Sequence, residues 1–378
     1  MIGEDGALSG GGFFAEVLKS HNSPFEATLA HITMTLIDTR LDILHDWLAK
    51  ILAGVTYQLE PASADASFRR YFRVTTAAGT QIVMDAPPPQ EDCRPFVAVA
   101  QLMRSAGLHV PQIVAQDVAH GFLLLSDLGN QTYLNVLDDT NADRLFADAI
   151  TALVSWQQAS RPGVLPPYDR ALLARELDLF PQWYVDRHLG YTLSPAEQAV
   201  LTRINTLLID SALAQPHVYV HRDFMPRNLM ISTPNPGVLD FQDAVYGPVT
   251  YDVASLFRDA FISWPEARAL DWIVRYWEQA RSAQIPVNPD FGTFYRDLEW
   301  MGLQRHLKVA GIFARLTLRD GKDKYLADAP RFINYIRHTA SRYAELTPLL
   351  RLIDTLEGTH PEMSLAYPRP SAPLGVKS

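Results

Sequence analysis

The stretch His221-Arg222-Asp223-Phe224-Met225-Pro226-Arg227-Asn228 is followed, twelve residues on, by Asp240-Phe241-Gln242-Asp243. Phosphoryl transfer to an alcohol needs a carboxylate beside the attacking hydroxyl. It also needs oxygen ligands for a divalent cation that neutralises phosphate charge. A carboxylate five residues before an asparagine on a tight loop, with a second aspartate ending a neighbouring strand, supplies all three. Asp223 is the candidate base, and Asn228 and Asp240 are the candidate Mg²⁺ ligands. The bland reading makes Asp223 a turn residue and Asn228 a helix N-cap, but it leaves their joint spacing with Asp240 unexplained. His221 has no metal partner at suitable spacing and reads as a structural, hydrogen-bonded histidine. Asp243 is either a third acidic site residue or loop solvation. Asp252 reads as a helix N-cap, with bracing of the loop from below as its functional alternative. Arg258 reads as a surface or ion-pairing arginine.

The H-R-D-x-x-x-x-N loop and the later D-F match the catalytic-loop and metal signatures of eukaryotic-type kinases. VHRDFMPRNLMIS and GVLDFQDAVYGPVTYDVASL resemble the core of the aminoglycoside phosphotransferase-like kinases. ASFRRYFRV, QIVMDAPPPQEDCRPF, GFLLLSDLG, ELDLFPQWY and MGLQRHLKVAGIFARL extend the resemblance from about Met34 to residue 350. These flanking stretches are similar to the branch of that family that phosphorylates N-acetylmuramate and N-acetylglucosamine at the anomeric hydroxyl. The resemblance implies an α+β, two-lobed protein-kinase-like fold with a small, mostly antiparallel sheet N-lobe and a larger, mainly helical C-lobe. It implies ATP in the cleft, with adenine bonded by backbone groups of the hinge Leu125-Ser126-Asp127-Leu128. It also implies Asp223 at the catalytic position, Asn228 and Asp240 at the metal positions, and sugar 1-phosphates for peptidoglycan recycling as products.

One part of the kinase pattern is missing. The third strand, Gln81-Ile82-Val83-Met84-Asp85, carries no lysine, and none occurs between Lys50 and Lys308. No glycine-rich phosphate loop is present, and the corresponding turn is Ala62-Ser63-Ala64-Asp65-Ala66-Ser67. Either the nucleotide site is degenerate, or arginine replaces lysine, since a guanidinium fork can hold phosphate oxygens. Arg69, Arg70 and Arg73 are the candidates, with Ser67 and turn amides adding hydrogen bonds. Strand alternation puts Arg69 and Arg73 on one face and Arg70 on the other, so not all can reach the nucleotide.

For the acceptor, carboxylates and amides beside an aromatic face suit a sugar. Glu176, Phe180, Trp183 and Tyr184 fall at helical spacing, and Glu176 and Trp183 are the favoured pair. The helix with Trp300, Gln304, Arg305 and His306 is a second candidate wall. Arg175 and Arg305 are the candidate partners for the lactyl carboxylate of N-acetylmuramate. The alternatives are an aminoglycoside or other amino-alcohol kinase, which an acidic chain also suits, and a non-catalytic nucleotide-binding regulator.

The elements that must position these residues follow from the hydrophobic period. A helix is predicted from Met34 to about Leu52, then a hairpin of strands over 68–76 and 80–86. A helix at 95–106 and strands over 111–118 and 121–128 complete a sheet ending near Gly129. Beyond it, helices are predicted at 141–159, 170–188, 252–262, 266–282, 291–317 and 329–344. Ser194, Pro195 and Glu197 form a capping box before one more. Short strands at 217–220 and 236–241 flank the polar loop. The expected organisation is an extension over 1–33, an N-lobe over 34–128, a C-lobe over 129–360 and an irregular tail over 361–378.

With 378 residues, 33 Lys+Arg against 42 Asp+Glu and 48% hydrophobic residues, the chain reads as an ordinary globular protein. Its net charge of −9 argues against nucleic acid as a partner. Cys93 alone cannot form an internal disulfide or a cysteine zinc cluster, which makes a reducing, cytoplasmic setting the expectation. No apolar run is long enough for a membrane span and no secretory signal is visible. The expected partners are ATP and a small-molecule sugar, with a monomer as the default state.

Overall fold

The computed structural model describes residues 38–64 and 68–358. Ser67, the 1–33 extension and the 361–378 tail lie outside the described residues. By its contacts the chain divides at Thr56/Tyr57. In the first unit, α1 (Thr39–Ile51) starts at Asp38, whose carboxylate accepts the Leu41 amide at 3.1 Å.

The second unit opens with five antiparallel strands: β1 (Gln58–Ala64), β2 (Arg70–Thr76), β3 (Gly79–Asp85), β4 (Ile113–Asp117) and β5 (Phe122–Ser126). Their spatial order is β1-β2-β3-β5-β4. The hairpin β2–β3 runs in register from Arg70 opposite Asp85 to Thr76 opposite Gly79, whose φ of +133° is open only to glycine. β1 was not among the predicted strands. Gln-Leu-Glu-Pro-Ala-Ser-Ala lacks an alternating apolar face, and the strand exists by pairing along β2, with a bulge between Pro61 and Ser63. Between β3 and β4, α2 (Arg94–Ser105) begins with Pro95 in its first turn, where a missing N–H costs nothing. Its buried Phe96, Val99, Ala100 and Met103 share a core with Met84, Leu123 and Leu125 of the sheet.

After Gly129 the chain is mostly helical: α3 (Ala142–Gln158), α4 (Arg170–Leu177), α5 (Pro195–Ala214), α6 (Tyr251–Phe257), α7 (Glu266–Ser282), α8 (Phe291–Leu318), α9 (Ala329–Arg342) and α10 (Thr347–Leu356). The Ser194/Glu197 capping box starts α5 as predicted. Two predicted helices differ. The single helix expected over 170–188 is α4 followed by a π-helical segment, Phe180–His188, with Pro181 at its start. The helix expected over 252–262 stops at Phe257. α8 is buried along most of its length and touches the π segment, α5, α6 and α9. Gly311 makes one of these approaches fit, since a Cβ there would lie 2.4 Å from the Leu179 backbone.

Two short ladders interrupt the helices. β6 (His217–Val220) pairs with β9 (Val245–Pro248), and β7 (Leu229–Met230) pairs with β8 (Gly237–Val238). Phe241 follows β8 and meets Phe96 of α2, their ring centroids 4.7 Å apart. One hydrophobic cluster therefore runs from Met84 in the sheet to Ile353 in α10.

Candidate active site

β6 delivers the chain into His221, which is fully buried. Its Nδ1 faces the Asp223 amide at 3.2 Å and its Nε2 faces the Leu239 carbonyl at 3.0 Å. Nδ1 can only accept and Nε2 can only donate, which sets a neutral tautomer. Burial pushes its pKa down to about 4, in keeping with that form. His221 is the structural histidine the sequence suggested, tying the Asp223 loop to the strand before Asp240.

The loop then closes on itself. Asn228 donates its amide N–H to Met225 O at 2.8 Å and its Nδ2 to Asp223 O at 2.9 Å. The same Nδ2 lies 3.4 Å from Asp240 Oδ2, while Gln242 Nε2 donates to Asp240 Oδ1 at 2.8 Å. Asp223, Asn228 and Asp240 are thus brought together. The Asn228 amide nitrogen is occupied, so its carbonyl oxygen is the group left for a ligand. Arg222 (φ +78°) and Asp240 (φ +62°) both sit in the left-handed region without being glycine. That costs about 1–3 kcal/mol each and holds only where surroundings enforce it. No group of three or more His, Cys, Asp or Glu among the described residues could hold a metal ion alone. The donor set Asn228–Asp240 suits a hard cation that keeps water and phosphate oxygens as further ligands, the habit of Mg²⁺.

Asp252 corrects one expectation. It is not the N-cap of α6, a position held by Thr250 without a side-chain hydrogen bond. It is fully buried and accepts the backbone amides of His221 at 2.6 Å and Arg222 at 3.0 Å. The bracing alternative is what the fold uses. Burial raises the Asp252 pKa to about 7, the two amides pulling against it.

Arg222 points away from solvent into a charged knot. Glu176 receives Arg222 Nη2 at 2.5 Å, Lys308 Nζ at 2.9 Å, Gln304 Nε2 at 3.1 Å and the Tyr168 hydroxyl. Burial alone would raise the Glu176 pKa, but Lys308 and Arg222 outweigh it and hold the carboxyl down at about 2. Burial would likewise lower that of Lys308, and Glu176 reverses this, so the ammonium stays charged. Lys308 also donates to Tyr251 OH at 3.0 Å.

The arginines singled out for the nucleotide are otherwise engaged. Arg70 forks onto Asp85 at 2.6 and 2.8 Å, and Asp85 is fully buried. Arg73 binds Asp127 at 2.7 Å and the Gly129 carbonyl at 3.1 Å, and so clamps the hinge. Arg69 lies 3.3 Å from Glu91. In the hinge, Leu125 is buried and pairs with Ile82. The Ser126 amide is spent on Gln112 O, and Asp127 caps the Gly129 amide at 2.9 Å. Leu128 is half-buried.

Residues 58–285 match the model of the phosphotransferase enzyme family. The chain belongs to that family. It is 56% identical over 334 residues to the N-acetylmuramate/N-acetylglucosamine kinase of Pseudomonas putida, covering 88% of this chain and 97% of that protein. Against the kinase of the same name from Neisseria meningitidis serogroup B, identity is 50% over 320 residues, or 83% and 95% of the two chains. Among solved structures it superposes on choline kinase LicA from Streptococcus pneumoniae with a TM-score of 0.58. That match has 15% identity and covers 80% of this chain and all of the other. A thermostable mutant of aminoglycoside phosphotransferase APH(4)-Ia gives a TM-score of 0.52 at 16% identity, covering 78% and 98%. The fold of this phosphotransferase is therefore the two-lobed, protein-kinase-like one.

The five residues singled out for the acceptor do not converge in this phosphotransferase. Gln304 and Glu176 meet, both buried. Arg305 is also buried, its Nη2 3.6 Å from Met225 Sδ. Trp183 is half-exposed in the π segment, stacked under Arg187 at 4.0 Å, and Arg175 is exposed. The helical spacing that aligned Glu176 with Trp183 fails because the backbone changes period between them. Sequence reasoning missed Arg222, Tyr168 and Lys308 as supports of the loop. Lys308 alone left a trace, as the first lysine after Lys50.

Proposed function

We propose that this phosphotransferase transfers the γ-phosphoryl group of ATP to the anomeric hydroxyl of N-acetylmuramate and N-acetylglucosamine. The products are sugar 1-phosphates for peptidoglycan recycling. The observation that carries the reading is that Asn228 reaches both the Asp223 carbonyl and the Asp240 carboxylate, together with the names of the relatives.

In this reading residues 34–128 serve the nucleotide, with the adenine edge at Leu125–Leu128, and residues 129–360 carry the catalytic loop and the acceptor. Asn228 and Asp240 are the residues that would hold Mg²⁺, which when bound neutralises phosphate charge. Asp223 accepts a hydrogen bond from the acceptor hydroxyl, aligns it and takes its proton late in the transfer. Asp252 and Glu176 act through Arg222 and the loop backbone, keeping Asp223 in place. Arg73 acts on the nucleotide indirectly, by fixing Asp127 and so the hinge.

A coupled ADP-release assay tests the function. Turnover with N-acetylmuramate and N-acetylglucosamine but not with kanamycin is expected, and the phosphorus NMR spectrum of the product should place phosphate on the anomeric oxygen. Turnover with kanamycin alone, or with no acceptor, overturns it.

A further inference from the structure

The arginines around the catalytic loop differ in how they are compensated. Arg222 is bound by Glu176 and Arg258 by Glu299, while Arg305 is buried behind Met225. Arg227 is not compensated in this way. It stands four residues after Asp223 and one before Asn228, half-buried, and no carboxylate among the described residues lies within ion-pair distance of it. Its described contact is the ring of Phe261, 4.9 Å from guanidinium carbon to centroid.

The direction of Arg227 is fixed by local structure. Pro226–Asn228 form a single tight turn, pinned by the Asn228 bonds to Met225 and Asp223. Phe261 is held in place on the other side. Asp259 accepts the amides of Phe261 at 2.7 Å and Ile262 at 3.0 Å, and the Phe261 ring meets Phe313 of α8. The guanidinium therefore leaves the loop towards the segment after α6, not towards the hinge strand β5.

We propose that Arg227 is the specificity residue for an acidic acceptor, gripping the lactyl carboxylate that N-acetylmuramate has and N-acetylglucosamine lacks. The inference rests on the acceptor class proposed above and replaces Arg175 and Arg305 in this role. An uncompensated guanidinium presents a planar fork that matches a carboxylate with two parallel hydrogen bonds. Stacking on Phe261 orients the fork without using its donors. A neutral sugar makes no such pair, so the contact acts on the preference between the two acceptors. A phosphate contact would instead act on both alike.

The test measures kcat/KM for both sugars, and for N-acetylmuramate with its carboxylate amidated, in the wild type, Arg227→Met and Arg227→Lys. Loss of a charge-assisted pair should lower the acid-to-neutral preference of Arg227→Met by roughly tenfold to a hundredfold. Arg227→Lys, keeping a charge without the fork, should fall between. The amidated sugar should lose the same factor on wild type and nothing further on Arg227→Met, closing a double-mutant cycle. If Arg227→Met does not fold, the Arg227→Lys ratio and the amidated sugar on that variant decide. An equal fall for all three acceptors, or an unchanged ratio, overturns the proposal. A wild type that turns over neither sugar overturns the acceptor reading instead.

Discussion

At the scale of single residues, the two aspartates of the site should fail differently when neutralised. In the proposed function Asp223 acts on the hydroxyl, so Asp223→Asn should cut kcat by about a hundredfold to ten-thousandfold with nucleotide affinity retained. Asp240 is a cation ligand in the proposed site, so Asp240→Asn should also weaken nucleotide binding in the presence of Mg²⁺. Titration calorimetry beside steady-state kinetics separates the two, and equal, mild effects would refute the roles. His221 gives a prediction about pH. Its neutral form is built into the fold, and its pKa drops from 6.5 to about 4 on folding. Between those values the unfolded chain binds the extra proton, so its contribution is fully present above pH 6.5 and is lost as pH falls towards 4. That amounts to on the order of 3 kcal/mol. Asp252, raised to about 7, runs the other way over much of this window, so the bulk pH profile of the protein blurs the effect. The gap in unfolding free energy between wild type and His221→Asn isolates it. The gap should narrow steadily as pH falls from 6.5 to 4, and a constant gap would show that His221 does not titrate as described.

At the scale of elements, the catalytic loop is held by helices far from it in sequence. α4 supplies Glu176, α6 supplies Asp252 and α8 supplies Lys308 and Gln304. Removing Glu176 strands the buried Lys308 against the half-buried Arg222, whereas removing Lys308 leaves the Glu176–Arg222 pair intact. Glu176→Gln should therefore cost about 3–5 kcal/mol and Lys308→Met clearly less, as read from urea unfolding. Equal losses would mean the carboxylate is not the hub. These partners lie dozens of residues from the loop they serve, and no local pattern announces them. The helices and strands themselves were legible, because period and caps are local properties: α7 begins and ends as predicted, and the hairpin residues pair as expected. What failed was context. β1 draws its ladder from a neighbour, and the π segment keeps an α-like apolar spacing while winding differently. The face shared by Glu176 and Trp183 disappeared with that change of period.

At the scale of the whole molecule, the contact of the Asp223–Asn228 loop with Asp240 could be read because the proposed phosphoryl transfer asks for these residue types at fixed spacing. The acceptor wall could not, since a sugar is held by whatever polar groups the helices leave exposed. α8, which looked like a polar wall, is instead the interior. A large cluster of buried side chains crosses from sheet to helices through Phe96 and Phe241. Truncating either ring opens a cavity in that shared core and should cost about 3–5 kcal/mol. The location of the tryptophans makes the consequence measurable: apart from Trp47, all lie at position 156 or beyond, outside the sheet. A core shared by both regions predicts that Phe96→Ala, on the sheet side, shifts the tryptophan fluorescence midpoint in urea as far as the far-ultraviolet dichroism midpoint. Both signals should remain single transitions, since the strands and helices lose their common interior together. Two separated transitions, with fluorescence unmoved by the substitution, would show instead that sheet and helices fold as independent bodies joined only at the hinge.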